Sequence, residues 1–249
     1  MITPVQQEMI NISQNAEYCI QKYFSQNAWR VPYNLNSVQI DMIRQFEKYN
    51  LETNIISFRQ CGGTDVLVAY SLWRTFVKEN STGQVNVLLY PNLSMSAEAM
   101  GRIGHMIEMA SARSILEYGV DLFSHIIKAD AYRVKCNDGS RRHLYFSSIA
   151  NCQNIFRGKH ITTVFLDNIW RNEKKDVDVQ TQLRTPIYCD NVIQIQSGLT
   201  TTKELYLENR NNIYYIKYID SDNYSIALEN SLINKLGYTR YALEYLLER

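Results

Sequence analysis

The residues best suited to chemistry stand in one short stretch, Asn54–Thr64, which reads NIISFRQCGGT. The apolar-periodic run Asp65–Val77 follows it directly. A buried segment, a small-residue loop and then a helix is the layout of a phosphate-binding P-loop, whose template is G-x-x-x-x-G-K-S/T. We therefore expect a loop whose backbone amides face an anion at the start of a helix.

The loop departs from that template. Ser57 stands at the first glycine position and Gly62 at the second. Thr64 supplies the hydroxyl, but Gly63 stands where the template has its lysine. A charge-assisted hydrogen bond of the kind that this lysine makes is worth roughly 1.5–3 kcal/mol, so its loss weakens nucleotide binding without forbidding it. Taken alone, so degenerate a loop is more often a plain tight turn than a nucleotide site.

A second informative stretch, Thr162–Asn168, reads TTVFLDN. Its β-branched and apolar residues predict a buried strand that delivers the carboxylate of Asp167 at the C-terminal edge of a sheet, where open α/β sheets bind ligands. This is the Walker B arrangement, in which the Asp holds Mg²⁺. Many such motors have a glutamate next, but this chain has Asn168, whose amide can orient water but cannot accept its proton. General-base catalysis contributes about 10²–10⁴ in rate, so the sequence argues against a competent hydrolase.

Helices and strands around these stretches must bring them together. A helix is predicted over Met1–Asn27, and a second begins with Asn36 or Ser37 as its cap. Gln39 lies just inside that second helix, where its amide offers both a donor and an acceptor to an adenine edge. The remaining pattern predicts a strand at Val85–Tyr90, a helix from Ser94 or Ser96 past Met109, a hairpin across Asn137–Ser140, a strand at Val192–Ile195, an edge strand at Ile213–Ile219, and helices over Ser225–Leu236 and Thr239–Arg249.

Composition places the chain among ordinary globular proteins. Its 249 residues, 45% hydrophobic and 20% charged, suffice for one substantial α/β domain. Five scattered cysteines and four isolated histidines show no metal-ligand spacing, so we expect reduced thiols and no His/Cys metal site. Neither a long apolar run nor a secretion signal is visible, so a soluble, intracellular protein without membrane contact is expected.

Charge gives the chain no general attraction to nucleic acid, because its net charge is only +1. Any contact with DNA depends on local patches. The densest in the sequence are Arg141-Arg142 and Lys174-Lys175, and each is more often a solvated face than a binding surface.

Taken in order, these pieces resemble the ATPase domain of the large subunit of phage terminases, the DNA-packaging motor, and in particular its T4-like branch. The stretch Arg59–Thr64, RQCGGT, is similar to the family's R-Q-x-G-K-S/T. The other residues that carry the resemblance are Tyr18–Phe24, Asn34–Phe46 with Gln39 at the adenine-motif position, Ser94–Glu98, Phe156–Gly158 and the aromatic-acidic Tyr241–Tyr245.

The resemblance implies a P-loop NTPase-type three-layer α/β domain, with a mainly parallel sheet, helices on both faces and a small helical lid. It divides the chain into an N-terminal helical part over 1–50, a P-loop core over 51–200 and the lid over 201–249. We do not expect the C-terminal nuclease domain of a complete large subunit in this sequence, and DNA cleavage is therefore not expected.

The resemblance also implies a site for ATP and Mg²⁺, with Thr64 and Asp167 as metal ligands. Asn168 occupies the position of the catalytic acid, and Arg59 acts on the γ phosphate in place of the missing lysine. For Arg157 the resemblance implies a side chain that faces a phosphate. The alternative is an arginine that forms a salt bridge within a loop. The family's Thr-rich coupling motif corresponds to Gln196–Gly198 or Thr200–Thr202. The implied nucleotide-binding set is Gln39, Ser57, Arg59, Gln60, Cys61, Gly62, Gly63, Thr64 and Arg157.

Three functional interpretations stay open, and whether the chain is an enzyme is open with them. The first is a terminase-like domain with impaired or lost ATP hydrolysis that senses nucleotide or has an architectural role in DNA packaging. The second is an active packaging ATPase in which Arg59 replaces the lysine and Glu173 or another carboxylate supplies the base. The third is a non-enzymatic protein that docks on an active terminase or its DNA. All three place it in the host cytoplasm with terminase subunits, double-stranded DNA, or further copies of itself as partners.

Overall fold

An eight-stranded sheet runs through the residues that the computed structural model describes, 2–25, 32–48, 52–79, 83–152, 159–169, 189–197, 213–222, 224–236 and 238–246. In chain order the strands are β1 (Glu52–Ser57), β2 (Val85–Tyr90), β3 (Ile126–Asp130), β4 (Arg133–Cys136), β5 (His143–Ser148), β6 (Ile161–Asp167), β7 (Cys189–Ser197) and β8 (Ile213–Ile216). Their spatial order is β3-β4-β5-β2-β6-β7-β1-β8.

Parallel pairing links β5, β2, β6, β7, β1 and β8, whereas β3, β4 and β5 form an antiparallel extension at the other edge. The mainly parallel sheet predicted from the sequence is therefore confirmed. The hairpin between β4 and β5 and the edge position of β8 are also as predicted. Strand β3 was not predicted, and β8 ends at Ile216 rather than Ile219.

The helices are α1 (Pro4–Gln14), α2 (Ala16–Tyr23), α3 (Ser37–Glu47), α4 (Gly63–Phe76), α5 (Leu93–Tyr118), α6 (Ile226–Leu236) and α7 (Tyr238–Tyr241), with a π-helical turn at Ala242–Leu246 after α7. None of the helices in the described ranges combines the length and the hydropathy that crossing a bilayer requires.

Two predicted helices differ from the structure because asparagine side chains act as caps. The single helix predicted over Met1–Asn27 is wrong, since Asn15 adopts extended backbone and its side chain accepts from Tyr18 N to begin α2. Helix α5 begins one residue before the predicted Ser94, because the side chain of Asn92 accepts from Met95 N. At the C-terminus the predicted straight helix from Thr239 is replaced by α7 and the π turn.

The main core lies between one face of the sheet and helices α1 to α5. Helix α4 is buried along most of its length, with Trp73 donating its indole N–H to Ile12 O at 2.7 Å and Phe46 packing on Tyr70. The opposite face carries a second apolar cluster that includes Val87, Val164 and Leu166. Burial of both faces is typical of central parallel strands.

The strand order places the two informative stretches of the sequence at the same edge of the sheet. Strand β7 lies between β1 and β6, with Ser57 paired to Ser197 and Asp167 paired to Ile195. A single strand, β7, therefore separates the loop after β1 from the carboxylate at the end of β6. The division of the chain into the parts 1–50, 51–200 and 201–249 stays a prediction.

Candidate nucleotide site

The loop between β1 and α4 is built around Gly62. This residue has φ +80°, in the left-handed region that favours glycine. An added Cβ would lie 2.3 Å from Gln39 Nε2, so the position also lacks room for a side chain. No side chain caps the start of α4, which leaves its first backbone N–H groups and the positive end of its dipole for an anion.

Gln39 supports this loop from the side of α3. Its Oε1 accepts from Asn36 N at 3.2 Å and its Nε2 donates to Gly62 O at 3.3 Å. The residue is only 1% exposed. Both ends of the amide are thus engaged within the protein, and reading an adenine edge would require the amide to leave these partners. The adenine role predicted for Gln39 stays a prediction.

Gly63 opens α4 against an apolar wall. An added Cβ would lie 3.2 Å from Ile195 Cγ2 and 3.5 Å from both Cys61 Sγ and Met42 Cε. A lysine here would therefore press on the end of β7. Burial raises the pKa of the Cys61 thiol, which donates to Ser57 Oγ at 3.2 Å.

Thr64 and Asp167 lie in contact with each other, and their role as metal ligands stays a prediction. Thr64 Oγ1 donates to Asp167 Oδ1 at 3.1 Å, and Asp167 is fully buried at the end of β6. Among the described residues no group of three or more His, Cys, Asp or Glu side chains could hold a metal. A hydroxyl and one carboxylate nevertheless fit Mg²⁺, which prefers oxygen ligands and takes most of its shell from water and substrate phosphates.

Asn168 faces the interior and joins two strand ends. Its Nδ2 donates to Asp167 Oδ1 at 2.6 Å, and its Oδ1 accepts from Ser197 N at 2.8 Å. Its backbone N donates to Ile195 O at 2.9 Å, and the residue has φ +49°. The amide therefore connects the candidate metal carboxylate to the end of β7. Sequence reasoning treated Asn168 as a replaced acid and missed this link.

Arg59 is held by the C-terminal part of the chain. Its Nη1 lies 3.1 Å from Glu244 Oε1, and its backbone N donates to Glu244 O at 3.0 Å. The neighbouring Phe58 packs against Tyr218 and Tyr245. Action of Arg59 on a phosphate would require exchange of the Glu244 carboxylate for the ligand, and it stays a prediction. The aromatic-acidic sequence around Glu244 was the available signal for this contact.

The first turn of α4 carries an acidic residue that is paired with an arginine of α5. Asp65 forms an ion pair with Arg102, which also pairs with Glu98. Burial raises the pKa of Asp65, and the Arg102 guanidinium opposes that rise. The guanidinium thus reduces the negative charge that Asp65 places near the start of the helix.

Some of the remaining predicted site residues lie in the described part of the chain, and others lie outside it. Ser57 is buried and donates to Gln196 O at 3.4 Å, while Gln60 is exposed with φ +64°. Gln196 and Ser197 lie at the end of β7 beside the loop. Outside the described residues lie Arg157, Gly198, Glu173, Lys174-Lys175 and Thr200–Thr202.

The fold is an α/β domain of the P-loop NTPase type with a mainly parallel sheet. Solved structures of phage large terminases share the fold. The Thermus phage P74-26 large terminase ATPase domain matches with a TM-score of 0.55 and 12% identity, covering 88% of this chain and 94% of that chain. The large terminase of another thermophilic bacteriophage, in complex with ATP-gamma-S, matches with a TM-score of 0.55 and 11% identity, covering 86% of this chain and 52% of that chain. Its complex with ADP matches with a TM-score of 0.55 and 12% identity, covering 86% of this chain and 53% of that chain.

The chain thus spans about half the length of this second large terminase. No protein-family model matches the sequence, and a search of curated proteins finds no match. At such low identity the likeness to these structures shows the fold. As a likeness of fold, it confirms the resemblance to terminase ATPase domains predicted from the sequence.

Proposed function

We propose that the chain is a terminase-like domain of a phage DNA-packaging assembly that binds ATP but has impaired or lost ATP hydrolysis. The observation that carries the proposal is the arrangement at the end of β6. The Thr64–Asp167 pair suits Mg²⁺, whereas the next residue is an amide tied between Asp167 and Ser197. A side chain held in this way neither accepts a proton from water nor turns toward a phosphate without breaking two hydrogen bonds.

ATP with Mg²⁺ is the proposed ligand. Backbone amides at the start of α4 would hold the phosphates, and Thr64 with Asp167 would hold the metal. The ADP and ATP-gamma-S complexes of the thermophilic bacteriophage large terminase, which has the same fold, support this choice. The proposed partners are terminase subunits and double-stranded DNA in the host cytoplasm, within a homo- or hetero-oligomer.

The test is calorimetric titration of the chain with ATP and Mg²⁺, followed by a turnover assay on the same sample. Binding that is lost in both Thr64→Ala and Asp167→Ala is the expected result, with turnover near background. Absence of binding at millimolar ATP would refute the retained site. Robust, DNA-stimulated hydrolysis that disappears in Asp167→Ala would refute the loss of catalysis.

The second candidate is an active packaging ATPase, and the position of Arg59 within the loop favours it. On this candidate the Arg59 guanidinium exchanges the Glu244 carboxylate for a phosphate and supplies the positive charge that Gly63 lacks. On this proposal the wild-type chain hydrolyses ATP measurably, and the double substitution Gly63→Lys with Asn168→Glu adds little. A wild-type rate at background that the double substitution restores would reject it.

A further inference from the structure

A cluster of cations lies on one face of the antiparallel extension of the sheet. Pairing of β4 with β5 places Lys135 opposite His143 and Arg133 opposite Tyr145. Lys159 reaches the same face, with its Nζ donating to Tyr145 Oη at 3.1 Å and lying 4.3 Å from the ring centroid. We call the three residues Arg133, Lys135 and Lys159 the cationic face.

Few acids balance this face. Asp130 pairs with Arg133 at 3.1 Å, and Asp190 pairs with His160 at 3.1 Å. Lys135 and Lys159 have no carboxylate within salt-bridge distance among the described residues. Burial lowers the pKa of His143, and the neighbouring cations lower it further. Among the described residues, the charges of Lys135 and Lys159 are therefore left without an acidic partner on this face, although the whole chain carries only +1.

We propose that the cationic face binds the phosphates of double-stranded DNA. Same-face positions of a strand, such as Arg133 and Lys135, are roughly 7 Å apart, about twice the 3.4 Å axial spacing of phosphates along one DNA strand. Lys159 covers the ring of Tyr145, so this aromatic is not free to stack on an unpaired base. Contacts of this kind position a duplex without reading its sequence.

The cationic face is separate from the candidate nucleotide site. At the usual strand spacing, β5 lies roughly 10 Å from β6, which ends at Asp167, and roughly 19 Å from β1. His143 also begins β5, whereas Asp167 ends the parallel strand β6. The choice of DNA among polyanions rests on the proposed function, whereas the surface itself does not. The two proposals can therefore fail independently.

The test is fluorescence anisotropy of a labelled duplex of about 30 base pairs, long enough to span several helical turns, titrated with the full chain, without nucleotide, at several salt concentrations. Each phosphate contact contributes about 0.9 to the slope of log affinity against log salt. Lys135→Ala and Lys159→Ala should each lower the slope by about 0.9, and the double variant by about 1.8. Lys128→Ala is the matched control, because Lys128 pairs with Val134 and so lies on the opposite face of the same extension.

An equal loss in Lys128→Ala, or no duplex binding by the wild-type chain, would overturn the proposal. Binding to vesicles of anionic phospholipid in preference to the duplex would also overturn it and identify a membrane surface instead. Calorimetry with ATP on the double variant separates the two proposals. Unchanged ATP binding with a reduced salt slope is the expected result. Loss of ATP binding together with DNA binding would mean that the substitutions act through the fold, and this would overturn the assignment to the cationic face.

Discussion

Substitution of Gly62 by alanine is expected to destabilise the protein more than the same change at another left-handed glycine. Gly62 has φ +80°, and an added Cβ would lie 2.3 Å from Gln39 Nε2. Gly119, at the end of α5, has φ +70°, but no atom lies within 4 Å of an added Cβ. The two substitutions share the backbone strain and differ in the clash with Gln39.

The magnitude follows from the contacts that Gln39 must lose. Left-handed backbone costs a non-glycine residue roughly 1–2 kcal/mol, and this is the whole effect expected at Gly119. At Gly62 the displaced amide also loses its hydrogen bonds to Asn36 N and Gly62 O, each worth about 0.5–1.5 kcal/mol. The free energy of unfolding should fall by about 2–5 kcal/mol in Gly62→Ala, against about 1–2 kcal/mol in Gly119→Ala.

Urea unfolding followed by circular dichroism measures both losses, and Gln39→Ala provides a cross-check. Because Gln39→Ala removes the group that the new Cβ meets, the double variant should be more stable than the sum of the single losses predicts, by about 1–3 kcal/mol. Equal losses in the two glycine variants would refute a packed contact between the amide and the loop. Strict additivity in the double variant would refute it as well.

Two further substitutions test the contacts that hold the loop and the β4–β5 hairpin. Glu244→Gln removes the charge opposite Arg59, whose side chain is 36% exposed, so the free energy of unfolding should fall by only about 1 kcal/mol. The affinity for ATP, measured by calorimetry, should rise because the guanidinium is released from Glu244. A weaker affinity for ATP would contradict this. Burial raises the pKa of Asp138, but hydrogen bonds from Ser140 and Arg142 outweigh it and lower the pKa to about 2. Because the unfolded value is about 3.9, the stability that this group contributes is present above that pH and is lost as pH falls toward 2. Asp138→Asn should flatten this part of the stability profile in urea unfolding, and an unchanged profile would exclude the pairing.

The sequence predicts those parts of the fold that local patterns of residue type specify. The run of β-branched and apolar residues that ends at Asp167 specifies a buried strand, and the small residues before Asp65 specify a loop at a helix start. Strand β3 escaped prediction because it is short and only its first residue is buried. Its order comes from pairing with β4 rather than from its own pattern.

The parts of the site that the sequence does not predict depend on contacts between distant segments. The ion pair between Arg59 and Glu244 joins the loop to the C-terminal turn. The resemblance places Gln39 and Gly62 at one site, but the hydrogen bond that joins them directly is not predicted. Helix caps show the same limit at short range, because the side chain of Asn15 competes with a helical pattern that otherwise continues through it.

The hydrogen bonds of Asn168 give a physical reason for an amide at this position. Its side chain must donate to Asp167 Oδ1 and accept from Ser197 N at the same time. An ionised glutamate only accepts hydrogen bonds, and its charge would stand beside the buried carboxylate of Asp167. Asparagine is also among the few non-glycine residues that tolerate the left-handed region, in which this residue lies with φ +49°. The amide is thus matched to its surroundings, because it links the ends of β6 and β7.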